Sequence, residues 1–148
     1  MKWIDIPPVW LLVFLALAGV AQAAMPGLAL HHAGVRMLGL GLGLVGLGLI
    51  LSAIVTMSRA GTTVIPHEEP DALVTSGLFR FSRNPIYLGD ALILSGSVLY
   101  WGQPVLLVLV PIFMWVIALR FIRAEEARLR AAFGEKFDQW ATKTRRWL

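Results

Sequence analysis

The chain contains no cysteine. That excludes a disulfide framework, a thiolate metal site and a thiol nucleophile, and it leaves the redox compartment unread. Charge is scarce too. Asp, Glu, Lys and Arg make up 15% of the 148 residues, where a soluble domain carries about a quarter. No nucleic-acid-binding motif is present, and the formal net charge of +4 comes from basic residues that gather beside apolar segments. Lipid headgroups are therefore the expected neighbours, not nucleic acid. Histidine is rare as well. His31 and His32 are adjacent, so they face different directions on any regular element, and no further ligands stand near them. A metal site is not expected.

What the chain has instead is apolar length. It is 57% hydrophobic with a mean hydropathy of +0.72, and the apolar residues lie in long blocks. This patterning predicts an all-α polytopic membrane protein. We expect about four transmembrane helices, the last two a helical hairpin, followed by a C-terminal amphipathic helix. Residues 1–148 read as one domain: two N-terminal helices over 1–57, then a functional loop, the hairpin and the C-terminal helix over 58–148.

Met1 to Ala24 has two readings. One is a signal peptide, with Lys2, an apolar stretch from Val9 to Val20 and a cleavage-like Ala21-Gln22-Ala23. The other is a first membrane helix starting near Pro7-Pro8, where proline suits a helix start. Asp5 and the two prolines make a poor signal n-region, so the helix is expected. Met37 to Met57 is the clearest span, uncharged and glycine-rich. Gly39 and Gly43 form a small-xxx-small pair, and Gly34, Gly41 and Gly48 recur every seventh residue. Such spacing admits a close neighbouring helix, within the chain or from a second copy. Ile86 to Tyr100 and Val105 to Leu119 are short for full spans and read as a helical hairpin, helped across by local bilayer thinning or by charged neighbours. The uncharged Trp101-Gly102-Gln103-Pro104 turn joins them. The loop with Arg59, Arg80 and Arg83 and the basic, aromatic tail are two crossings apart. They share one face, which the positive-inside rule makes cytoplasmic. The tail is expected to lie on the membrane surface.

The polar chemistry collects in two places. Thr75 to Gly89 holds two arginines beside aromatics, with Asn84 as a helix N-cap, Pro85 in the first helical position and Tyr87 one turn inside. We read this stretch as the lip of a cofactor site. The second place is Glu125-Glu126, on a helix where Phe121, Glu125, Leu129 and Ala132 share one face, and Ile122, Glu126, Leu129 and Phe133 the next. Acids on the apolar side of a helix need cationic partners. Local ones exist: Arg123 and Arg130 for Glu126, and Arg128 for Glu125. Arg80 and Arg83 also read as lipid-phosphate anchors, Tyr87 as an interfacial belt residue, and His67 as a solvated loop histidine. Asp90 reads either as a charge favouring its helix N-terminus or as a polar contact inside the bundle.

The block from Leu73 to Gly89, followed by Glu125-Glu126 and by Phe133-Gly134-Glu135-Lys136-Phe137, resembles the isoprenylcysteine carboxyl methyltransferase superfamily. That group also includes phospholipid N-methyltransferase-like proteins, and the resemblance covers Thr62 to Leu148. It implies a helical membrane methyltransferase using S-adenosyl-L-methionine. By the match, Asp71, Ala72, Leu73, Val74, Phe79, Arg83, Asn84, Pro85 and Tyr87 contact the cofactor. Glu125 or Glu126 binds its cationic amino-acid part, and Arg123 or Arg120 faces the methyl acceptor. Prenylcysteine enzymes of the group usually have His where this chain has Asn84, so transfer of the prenylcysteine substrate is weakened. The acceptor class stays open among a carboxylate, an amine and a thiol. The competing expectations are a non-catalytic helical membrane subunit and a nicotinamide-dependent reductase.

Overall fold

The structure, a computed structural model, describes residues 6–30, 32–62 and 72–148. Lys2, Asp5, His31, His67 and Asp71 lie outside the described residues. The six helices among those described are α1 (Pro7–Ala24), α2 (Ala33–Arg59), α3 (Pro85–Tyr100), α4 (Leu109–Ile117), α5 (Arg123–Phe133) and α6 (Glu135–Lys143), and no strand occurs among them. Three stretches are long and apolar enough to cross a membrane: Pro7–Ala24, Ala33–Arg59 and the continuous Pro104–Phe133. The last joins a 3₁₀ turn over Pro104–Val108, α4, a π-helical turn over Ala118–Ile122, and α5. The second arm of the hairpin is therefore not short, as its composition suggests. Apolarity ends near Leu119, whereas the backbone stays helical for four further turns.

α3 does fall short. Its 16 residues reach about 24 Å, against about 30 Å of hydrocarbon. The packing explains why this is tolerated. α3 is the central helix, with α2 along one side and α1 and α4 on the other. Tyr87, Ala91, Leu94 and Val98 form its inner stripe and join Phe14 and Ala18 of α1 with Phe113 and Ile117 of α4 in the main core. Phe14 meets Phe113 edge to face, with ring centroids 5.3 Å apart.

The α2–α3 contact rests on missing side chains. A Cβ built on Gly39 would lie 2.6 Å from the Gly96 carbonyl oxygen, and one on Gly46 2.6 Å from that of Gly89. Only glycine permits this approach. The sequence periodicity is half right. Of the Gly39–Gly43 pair, a Cβ on Gly39 would strike α3 whereas one on Gly43 would meet nothing within 4 Å; Gly41 and Gly48 of the other series also meet open space, and Gly34 meets only the His32 ring. The edge expected to serve self-association is thus engaged inside the chain at Gly39 and Gly46. His32 caps α2: its Nδ1 accepts the Gly34 N–H at 3.2 Å.

The remote end of the bundle is closed by the Trp101–Pro104 turn. Leu30 N–H donates to the Gly102 carbonyl at 2.6 Å, and the buried Gln103 donates from Nε2 to the Met25 carbonyl at 3.1 Å. At the other end Gly134, with φ +51°, separates α5 from α6. The chain turns there and brings α6 back under the bundle. Phe137 is fully buried. The apolar face of the tail has found the loop before α3.

Candidate active site

Two polar stretches far apart in sequence are knotted together at the α3 N-terminus. Arg83 N–H donates to the Arg145 carbonyl at 2.9 Å. Asn84 Nδ2 donates to the Arg146 carbonyl at 2.9 Å, and Ser82 Oγ reaches the same oxygen at 3.4 Å. One turn earlier, Trp140 Nε1 donates to the Phe79 carbonyl at 3.0 Å. The loop and the tail thus share one face of the bundle, as the count of crossings requires. Asn84 is the residue before α3 and Pro85 opens it, as expected, but the Asn84 side chain makes no cap bond. Its amide is used across the knot instead, and its backbone N–H is satisfied by Ser82 Oγ at 3.1 Å.

Both acids of α5 face this knot, each with a different partner. Tyr87 OH donates to Glu125 Oε2 at 3.1 Å. Glu126 is held by Arg146, whose Nε and Nη2 donate to its two oxygens at 3.1 and 2.6 Å, a forked, charge-assisted pair. Arg83 Nη1 lies 3.5 Å from Glu126 Oε1. Among the described residues none of the expected local pairs forms a hydrogen bond or ion pair, although the Arg128 charge still acts on Glu125. Arg130 binds Asp138 at 2.8 Å across the Gly134 bend and lies over the Phe137 ring, while Arg123 is exposed. The wide turn at Ala118–Ile122 ends three residues before Glu125, and its Phe121 and Ile122 are buried. Glu126 in turn draws Arg146 further toward its charged form through these hydrogen bonds.

The remaining expected residues divide. Val74 and Phe79 are buried with Ala53 in a second small core, where Met57, Ile86 and Trp140 pack on them. Ala72 and Leu73 are half-buried. Leu73 lines a cleft of about 410 Å³ with Thr75, Phe133, Lys136 and Gln139. Pro85 is buried. Arg120 lies over the Trp10 ring of α1, 4.9 Å from its centroid, on the α1 side of the bundle and not in the knot. The structure thus brings Arg83, Asn84, Pro85, Tyr87, Glu125 and Glu126 together, with Phe79 just behind, and leaves Arg120 and Arg123 at the margin.

Arg146 is the residue that sequence reasoning missed. In a basic, aromatic tail it looks like one lipid anchor among several, and no spacing rule ties it to an acid 20 residues upstream. The signal that existed was negative: two acids on an apolar helix face, with no cation guaranteed to reach them.

The Arg-Asn-Pro-x-Tyr turn and the paired acids thus meet at one face of a helical membrane frame. The chain belongs to the phospholipid methyltransferase family, whose model matches residues 35–136. Among curated relatives, a probable protein-S-isoprenylcysteine O-methyltransferase of Oryza sativa subsp. indica is 31% identical over 93 residues, 62% of this chain and 49% of its own length. Protein-S-isoprenylcysteine O-methyltransferases A and B of Arabidopsis thaliana are 32% identical over 118 residues and 30% over 105. These cover 78% and 68% of this chain, and 59% and 53% of the relatives. The chain thus spans about half the length of the relatives it matches. No solved structure matches it significantly.

Proposed function

We propose that the chain is an S-adenosylmethionine-dependent methyltransferase acting on a lipophilic acceptor at the cytoplasmic membrane face. The observation that carries the reading is the division of labour between the acids. Glu126 is committed to two guanidinium groups, whereas among the described residues Glu125 has the Tyr87 hydroxyl as its hydrogen-bond partner and no ion pair. Glu125 is the acid left to take a cofactor ammonium, and Glu126 is the post that holds Arg83 and Arg146 toward a carboxylate. Arg83 Nε is buried and has no hydrogen-bond partner among the described residues, and a buried orphan donor of this kind fits an anionic ligand group. The cleft offers Phe133 and Leu73 as an apolar face and Thr75, Lys136 and Gln139 as polar groups, a mixture that suits the adenosine part.

The cofactor supplies a methyl group activated by a sulfonium. The chain's own residues bind it, align it and keep water out, and such alignment accounts for much of the rate of a displacement. Arg120, set over Trp10 between α1 and the long fourth stretch, is the better placed of the two marginal arginines to meet an acceptor arriving from the bilayer.

Calorimetry in detergent tests the reading. Wild type should bind S-adenosylmethionine saturably, and Glu125→Ala and Arg83→Ala should each weaken it at least tenfold, the scale of one charge-assisted hydrogen bond. Failure of the wild type to bind would leave a non-catalytic membrane subunit as the better account. Unchanged binding in both variants would move the cofactor elsewhere.

A further inference from the structure

Asp90 is the one acid of α3, and the site described above does not use it. It is 5% exposed, on a helix that is otherwise apolar or small from Leu88 to Tyr100. Among the described residues its carboxylate has no hydrogen-bond or ion-pair partner. The helix N-terminus does not account for it. Pro85 opens α3, so Asp90 is the sixth residue, and the favourable field there fades within the first turn. An ionisable group placed unpaired in a bundle core costs stability, and it is kept where it contacts a substrate or a proton.

Its position says which. Asp90 follows Tyr87 by three residues, so the two side chains share a face of α3, and Tyr87 is bonded to Glu125. Asp90 therefore stands about 5 Å further along the helix, toward the bilayer interior. Asp90 flanks the stripe of Tyr87, Ala91 and Leu94 that faces α1 and α4, and we take that side as the one a lipophilic acceptor would approach. A negatively charged acceptor would be repelled by an unpaired carboxylate in such a medium, whereas a group with a proton to give would be drawn to it.

We infer that Asp90 is a further acceptor-side catalytic residue beside Arg120: its carboxylate binds a lipophilic acceptor through an N–H or S–H and takes that proton as the acceptor is methylated. For an amine, the nitrogen gives one proton to Asp90 and forms the new N–C bond with its lone pair. The electron pair of the broken C–S bond stays on the donor's sulfur, which becomes a neutral thioether. A carboxylate acceptor has no proton to lose and is excluded by the same charge. This rests on the methyltransferase reading and narrows it to protic acceptors.

The test uses the full chain in lipid nanodiscs, as wild type, Asp90→Asn and Asp90→Leu. Hexadecylamine, hexadecanethiol and palmitate are the probe acceptors. Binding of hexadecylamine, followed by tryptophan fluorescence, should weaken tenfold or more in both variants. Binding of S-adenosylmethionine should stay within about twofold of wild type. Labelled methyl transfer to the amine or thiol should fall about a hundredfold or more, the scale of a lost general base. The thermal midpoint should hold or rise, because an unpaired acid has been removed from an apolar core. The inference is overturned by amine binding and transfer that persist in Asp90→Asn, by wild-type preference for palmitate, or by a thermal midpoint that falls in both variants. Loss of cofactor binding in the wild type itself would instead sink the methyltransferase reading, so the two failures are told apart.

Discussion

Glu125 and Glu126 are neighbours in the chain but differ in chemistry. A phenol hydroxyl meets the first, and two guanidinium groups meet the second. The Arg146–Glu126 fork is half-exposed on the arginine side, at 37%, and mostly covered on the acid side, at 15%. Its worth is therefore below the 3–5 kcal/mol of a fully buried pair and above the few tenths of a solvated one. Arg146→Gln should loosen the tail and weaken S-adenosylmethionine binding about tenfold, whereas the exposed Arg145→Gln should leave it unchanged. Calorimetry on the two variants checks this, and equal effects would reduce Arg146 to a general surface charge. At this scale the sequence was legible where chemistry was local. Asn84 before Pro85 and Tyr87 one turn on could be placed from propensity alone. The acids could be recognised as misfits on an apolar face, but not paired. The nearest candidate cations at helical spacing were Arg123 and Arg130, and a pair spacing rule cannot see that Gly134 turns the chain back and delivers Arg146 instead.

At the scale of elements, the contact between α2 and α3 is the most exacting in the molecule. A methyl group added at Gly96 would sit 2.5 Å from the Gly39 carbonyl oxygen and 2.7 Å from the Gly43 nitrogen. Both are backbone atoms, which cannot move aside without parting the helices. Gly96→Ala should therefore cost about 1–3 kcal/mol and lower the thermal midpoint by several degrees. Gly41→Ala, with nothing within 4 Å, should be neutral or slightly stabilising, since alanine is the better helix former. A thermal-shift assay comparing the two is decisive: equal midpoints would mean that the helices do not touch where the glycines meet. The glycine content of α2 announced a close neighbour, but not which glycines would serve. Gly39, Gly43 and Gly46 lie on one stripe and Gly34, Gly41 and Gly48 on another, and the choice was made by α3, whose own Gly89 and Gly96 repeat the seven-residue interval. The hairpin's second arm was misjudged for a different reason. Hydropathy reports where lipid contact ends, and a helix that leaves the bilayer to carry Glu125 and Glu126 keeps its hydrogen bonds after it has lost its apolar character.

For the whole molecule, the knot fixes relative sides without fixing the absolute one. Arg80 and the α6 residue Lys143 belong to segments tied to each other, Arg80 through its carbonyl, which Thr144 Oγ1 reaches at 3.5 Å. Arg36 lies in the first turn of α2, 27 residues long, over the ring of Tyr100 at the remote end of α3. A helix of that length rises about 40 Å, enough to separate its ends by the full hydrocarbon thickness. The absence of cysteine makes the chain a ready background for single-site labelling. With a membrane-impermeant maleimide on intact cells, Arg36→Cys should react, whereas Arg80→Cys and Lys143→Cys should react only after permeabilisation. That pattern follows from the positive-inside bias, since Arg59, Arg80, Arg83 and the basic tail all lie on the knotted face. Reaction of Arg80→Cys and Lys143→Cys in intact cells, with Arg36→Cys protected, would keep the fold and invert the protein. The proposed source of a water-soluble methyl donor would then be on the wrong side. Labelling of Arg36→Cys and Arg80→Cys from one side would be more damaging, because α2 would not cross and the pairing of Gly39 with Gly96 could not have its present depth.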